Sequence, residues 1–167
     1  MLALVEQVRQ HVANQKLRPP VPELEIPEAE RRLGFHLPEL LRELYTIVAD
    51  GGFGPSNRFS PLLRPVPEEQ LMSGALPRIE SVVELYEAFE VGDPEDETGP
   101  WPERLLPMVD CGCAVYSCVD CSRPALPIIR YEPYVARTPE CPSLDRWLRE
   151  WMTSAQLWKL GPRNERA

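Results

Sequence analysis

Histidine is scarce in this chain: only His11 and His36 occur in 167 residues. Neither lies in the motif context of the known cysteine hydrolases, so a catalytic Cys–His pair is not indicated. No apolar run approaches the length of a membrane span. The opening Met1-Leu2-Ala3-Leu4-Val5 runs straight into Glu6, with no basic start, long apolar core or cleavage-like site, and does not read as a signal peptide. Positive charge is also short. The 18 basic residues face 26 acidic ones for a net charge of -8, which argues against nucleic acid as a direct ligand because phosphate binding needs clustered Lys and Arg. The glycine cluster Gly51-Gly52-Phe53-Gly54 lacks the lysine and following Ser or Thr of a nucleotide-binding loop, and Pro55 occupies the place where a phosphate-binding helix would begin. It reads as a turn. No internal repeat is visible. These absences point to a cytoplasmic protein without a membrane or nucleic-acid partner, in which the five cysteines stay reduced.

What is present is the composition of a globular domain. A hydrophobic content of 43% and a charged content of 26% are ordinary for a folded chain. The length suits one domain that buries about two-thirds of its unfolded surface. The 20 prolines exceed the average and cluster at Pro19, Pro20 and Pro22, then at Pro55, Pro61, Pro65 and Pro67. They predict well-defined loops between short elements. The acidic balance serves solubility and allows a basic protein partner.

Leu2, Val5, Val8 and Val12 recur at helical spacing, so the first sixteen residues read as an amphipathic helix ending before Pro19-Pro20. Pro27 and Pro38 suit the first turn of a helix, and Gly34 and Gly51 suit the position past a helix end. Between them Leu37, Leu40, Leu41, Leu44, Tyr45 and Val48 form one apolar face. Residues 53 to 77 read as short extended pieces in a proline-rich connection. Another helical pattern opens at Pro77-Arg78-Ile79, runs through Val82, Val83, Tyr86 and Phe89, and stops at Gly92. From Leu105 the pattern changes to short apolar runs, Leu105 to Val109, Ala114 to Val119 and Leu126 to Tyr131, which predict neighbouring strands joined by tight turns. Leu144, Trp147, Leu148, Trp151, Ala155 and Trp158 predict a last helix, with Ser143 as its N-cap and Gly161-Pro162 as its stop. Helices flanking a mostly antiparallel or mixed sheet make the fold class α+β.

The chemistry-bearing residues are few. Cys111-Gly112-Cys113 and Cys118-Val119-Asp120-Cys121 could bring four thiolates together on a hairpin, as zinc requires. In a strand, however, Cys111 and Cys113 project to one face and Cys118 to the other, and the gap is shorter than in zinc ribbons. Structural thiols, a zinc site and redox chemistry are the three readings; the first is favoured because free Cys behaves as a small apolar residue. The carboxylates show no spacing that demands acid–base work, so neither a catalytic residue nor a metal or cofactor is expected. Glu28 already has a role at a helix N-terminus, and Glu68 and Glu69 read as exposed charge. The stretch from Asp93 to Pro100 has no apolar residue to bury and reads as a surface loop. Its Asp93, Glu95, Asp96 and Glu97 are either solvated charge or an electrostatic contact for a basic partner. Trp101, between Pro100 and Pro102, either anchors that loop or is itself a contact residue. The other three tryptophans share a helical face and read as core.

Three blocks carry a resemblance. The first is Ile26-Pro27-Glu28-Ala29-Glu30-Arg31-Arg32-Leu33-Gly34-Phe35-His36-Leu37-Pro38, continued through Leu44-Tyr45 to Asp50-Gly51-Gly52-Phe53-Gly54-Pro55. The second is Leu105-Leu106-Pro107-Met108-Val109-Asp110 leading into Cys111-Gly112-Cys113, and the third is Ser143-Leu144-Asp145-Arg146-Trp147-Leu148-Arg149-Glu150-Trp151. In this order they resemble the SUKH superfamily, the Smi/Knr-like domains, over roughly residues 20 to 160, the core of a single domain spanning residues 1–167, with an N-terminal helix preceding that core. The resemblance implies a non-catalytic protein-binding module similar to bacterial immunity proteins, which neutralise a cognate toxin, often a nuclease or deaminase, by occlusion. Together with the acidic balance and the proline-framed acidic loop next to Trp101, it points to a basic toxin domain as partner, met by Asp93, Glu95, Asp96, Glu97 and Trp101. Two alternatives are a regulatory scaffold, as in fungal relatives that coordinate cell-wall synthesis, and a small zinc or thiol protein using the Cys111 to Cys121 hairpin. Zinc is not a feature of the family, whose members tend to carry Trp-Gly where this chain has Cys111-Gly112.

Overall fold

In the computed structural model the described residues are 2–65, 80–93, 96 and 98–153. Their element order is α1 (Leu2–His11), α2 (Ile26–Leu33), α3 (Glu39–Glu43), α4 (Val82–Val91), β1 (Leu105–Gly112), β2 (Val115–Asp120), β3 (Ile128–Glu132), β4 (Ala136–Cys141) and α5 (Leu144–Thr153). The strands form one antiparallel sheet in the order β1-β2-β3-β4. Helices packed on such a sheet make the α+β class anticipated from the sequence.

The helix boundaries follow local chemistry. Pro27 sits in the first turn of α2 and Gly34 closes it in the left-handed conformation, φ 78°. The apolar run after Pro38 is α-helical only through Glu43 and then widens into a π-helical turn, Leu44–Val48. That turn buries Leu44, Tyr45 and Val48 together. Ser81 caps α4 by accepting from the Glu84 N–H while the Glu84 carboxylate accepts from the Ser81 N–H, a reciprocal box that satisfies two orphan donors. The helix therefore begins at Val82. The start expected at Pro77, Arg78 and Ile79 lies outside the described residues. Ser143 caps α5, its hydroxyl accepting from Arg146 N–H. Ala155, Trp158 and the Gly161-Pro162 stop also lie outside.

Gly51 has two reasons to be glycine. Its φ is 76°, and a Cβ there would stand 2.7 Å from both the Phe59 carbonyl oxygen and the Pro61 nitrogen. This approach folds the segment after the π turn back on itself. Phe53 then stacks on Phe59 at 4.3 Å, and the Tyr45 hydroxyl donates to the Ser60 carbonyl at 3.0 Å. Part of the expected extended connection is a short 3-10 turn at Pro55–Asn57. Residues 58 to 60 then run beside β1, with a bridge from Phe59 to Val109 and a bond from Ser60 N–H to Met108 C=O. One sheet edge is thereby covered. The other edge, β4, carries an exposed Pro139, which cannot donate to an added strand.

The two sheet faces differ. Leu106, Met108, Val119, Ile128 and Cys141 meet Leu4, Val5 and Val8 of α1 and Leu144, Trp147 and Leu148 of α5 in the main core. His11, on the exposed side of α1, packs edge-on against Trp151 at 5.0 Å. The second face holds Leu105, Cys118 and Tyr131, with Phe89, Trp101, Tyr116 and Ile129 against them. It carries the acidic loop.

Candidate functional site

The loop after α4 lies on this second, aromatic face. Phe89, in the last turn of α4, has its ring 4.4 Å from Trp101, 5.4 Å from Tyr116 and 5.4 Å from Tyr131, and Trp101 meets Tyr131 edge-on at 5.0 Å. The Trp101 indole N–H donates to the Leu105 carbonyl at 2.8 Å. A half-buried indole whose polar atom is satisfied inside the chain is a fixed anchor. Of the two roles open to Trp101 from the sequence, this geometry supplies the anchoring one.

Asp96 is committed as well. Its carboxylate accepts the Tyr131 hydroxyl at 2.6 Å, the Thr98 N–H at 2.9 Å and the Tyr134 N–H at 3.3 Å. These donors, Tyr131 first, hold its pKa down at about 2, since hydrogen bonds to the charged form favour it. Reciprocally, burial first and Asp96 second push the Tyr131 phenol upward. Arg137, from β4, completes the attachment. Its guanidinium lies 5.3 Å from the Trp101 ring and 5.6 Å from that of Tyr131, and it donates to the Thr98 and Gly99 carbonyls at 2.8 and 2.9 Å.

Asp93 is exposed and accepts the Tyr134 hydroxyl at 2.5 Å. Glu95 and Glu97 lie outside the described residues. Beside Asp93 the surface becomes apolar: Val91 is 88% exposed, Tyr134 59% and Val135 72%. The last two form the tip of the β3–β4 hairpin, where Tyr134 is held at φ 60°. Three exposed apolar side chains thus stand near Asp93 and Asp96, whose carboxylates are bonded to Tyr134 and Tyr131. Charge, an aromatic tip and preorganisation are the ingredients of a protein-binding surface.

Sequence reading did not single out Tyr131, Tyr134, Val135 or Arg137 as site residues. The signal was weak: Glu132-Pro133-Tyr134-Val135 is a plausible turn, but Arg137-Thr138-Pro139-Glu140 has no apolar alternation to mark a strand.

The cysteine hairpin disperses its thiols. Cys118 is buried on the aromatic face, whereas Cys111 and Cys121 pack toward the main core. Cys113 is not in a strand at all but in the β1–β2 turn, exposed at φ 54°. Burial raises the pKa of the Cys111, Cys118 and Cys121 thiols, which keeps them protonated and unreactive. On the core side Cys111 Sγ lies 3.5 Å from Ser117 Oγ, whose hydroxyl donates to Glu140, and Glu140 also accepts the Trp147 indole N–H at 2.9 Å. This chain of contacts ties β1, β2, β4 and α5 together. Among the described residues no three His, Cys, Asp or Glu side chains are grouped to hold a metal ion.

No curated protein matches this chain. No helix among the described residues is long and apolar enough to cross a membrane. Residues 20–150, which include α2, the glycine turn, the whole sheet and most of α5, match the family model described as SMI1 / KNR4 family (SUKH-1), and the chain belongs to that family.

Proposed function

We propose that this chain is a non-catalytic binding module acting in the cytoplasm as an immunity protein, neutralising a bacterial polymorphic toxin of nuclease or deaminase type by covering its basic active-site cleft. Membership of a family broadly linked to immunity proteins supports the role. The observation that carries the choice of surface is the acidic loop held on the aromatic face by Asp96 and Trp101 beside the exposed Val91, Tyr134 and Val135. Asp96 and Trp101, already held by the sheet, cost little ordering entropy on binding. Its carboxylates steer a cationic partner, and the apolar tip supplies desolvated contact once the partner arrives.

The test is kinetic, and its ligand is any toxin domain found encoded next to this chain. Replacing Asp93 by Asn and Glu95 and Glu97 by Gln slows association and flattens its salt dependence, because rim charges act on the on-rate. Tyr134→Ala chiefly speeds dissociation, as loss of an aromatic anchor does. On-rates unchanged by the acidic substitutions exclude the loop, and failure of the chain to rescue cells from that toxin rejects immunity itself.

A further inference from the structure

Among the described residues two arginines of this acidic molecule, Arg31 and Arg104, form no salt bridge, and both line the same concavity. Every other described arginine pairs with a carboxylate, except Arg137, which donates to backbone carbonyls. Arg31 and Arg104 have no such pair among the described residues. They belong to distant parts of the chain, the last turn of α2 and the residue before β1, yet both line an open groove of about 630 Å³ with Pro27, Glu30, Gly34, Phe35 and His36.

The groove is built, not incidental. Arg104 is held at φ 62°, a left-handed conformation that is uncommon outside glycine. Its N–H donates to the Tyr86 hydroxyl at 3.2 Å and its carbonyl accepts from Cys121 at 2.9 Å. The guanidinium consequently lies over the half-buried Phe35 ring, 5.7 Å from the centroid, and Phe35 in turn packs edge-on against Tyr86 at 5.9 Å. The one acid in the lining, Glu30, is already taken: it accepts from Leu37 N–H at 2.9 Å and meets His36 Nδ1 at 2.7 Å. The space therefore offers two guanidiniums without a salt bridge next to an apolar ring, Arg31 sensing Glu87 only at longer range. Guanidinium forks match carboxylates in geometry, and the volume falls in the range of ordinary ligand clefts.

We propose that this corner between α2 and α3 is a docking site for an acidic peptide segment of a partner protein, its carboxylate received by Arg31 and Arg104 and a neighbouring apolar side chain lying against Phe35. The site goes beyond the immunity reading. Its sign is opposite to that of the loop on the aromatic face, and it stands whatever that loop binds.

The experiment is an amide NMR titration of the full chain with an acetylated, amidated peptide Gly-Leu-Asp-Glu-Phe-Gly at constant ionic strength. Expected are shifts confined to the amides of Gly34, Phe35, His36 and Arg104, absent when Asn and Gln replace the two acidic residues of the peptide. Arg31→Gln and Arg104→Gln each weaken binding by about two- to fivefold, the range for partly exposed ion pairs. Arg9→Gln, on the far helix α1, leaves it unchanged. Unaltered spectra elsewhere and an unaltered thermal midpoint show that the variants are folded; should Arg104→Gln fail that control, Arg31→Gln alone decides. Shifts scattered over the surface, equal response to the amide peptide, equal response to inorganic phosphate, or insensitivity to Arg31→Gln overturns the proposal.

Discussion

The carboxylate of Asp96 accepts the hydroxyl of Tyr131 at 2.6 Å, joining the acidic loop to the centre of the sheet. Asp96→Ala is expected to release the loop without unfolding the chain, read as a shift of the Trp101 indole N–H resonance toward its solvated position. With Asp96 held at about 2 against an ordinary 3.8, the attachment is fully present above about pH 4 and is lost as pH falls through 2. On the alkaline side the raised Tyr131 phenol keeps its proton, so the contact survives past pH 10, the ordinary tyrosine value, and is lost only as pH rises through the raised one. A Trp101 resonance that does not move in Asp96→Ala, or that moves between pH 5 and 9 in the native chain, contradicts this account.

Trp147 is fully buried, and its indole N–H is satisfied by Glu140. Trp147→Ala should destabilise by about 3–5 kcal/mol, the range for removing a large core aromatic, measured as a fall in the urea midpoint with unchanged slope. Trp151→Ala, at the margin of the same face and 9% exposed, should cost no more than this. The exposed Arg146→Ala serves as a surface reference, within about 0.5 kcal/mol of the native chain. A midpoint for Trp147→Ala equal to that of Arg146→Ala would mean that the stripe is not core.

The five thiols should react in order of exposure. Iodoacetamide under native conditions is expected to label Cys113 first, since it stands exposed in the β1–β2 turn. Cys118 and Cys141 are buried, with burial raising the pKa of both, so they should be modified only as fast as the chain opens. Peptide mapping by mass spectrometry against time checks the order. Early labelling of Cys118 would place it outside the aromatic core.

How much was legible depended on whether the cause was local. The proline and glycine boundaries of α2 and the end of α4 at Gly92 are chemistry written within a few residues, and periodicity located α1, α5 and three of the strands. β4 was missed because Arg137, Thr138 and Pro139 have little apolar content; the strand exists because β3 offers it a ladder from Ile128 to Glu132. The π turn at Leu44–Val48 was missed for a related reason, since the apolar spacing that predicts a helix does not state how wide its last turn will be. Asp93 to Glu97 could be named as charged loop residues, but the different placements of Asp93 and Asp96 depend on which hydroxyl reaches which carboxylate.

By itself, then, the sequence determined the α+β class, the family blocks and the acidic balance, because spacing, capping and charge are properties of short segments or of sums. Tertiary structure alone decided that Asp96 is consumed by Tyr131, that Cys111 of β1 meets Ser117 of β2, and that Arg31 and Arg104 share one groove. Each of these joins residues from separate elements, and the distance between two side chains on different elements is set by how the helices and the sheet pack, which no local pattern encodes.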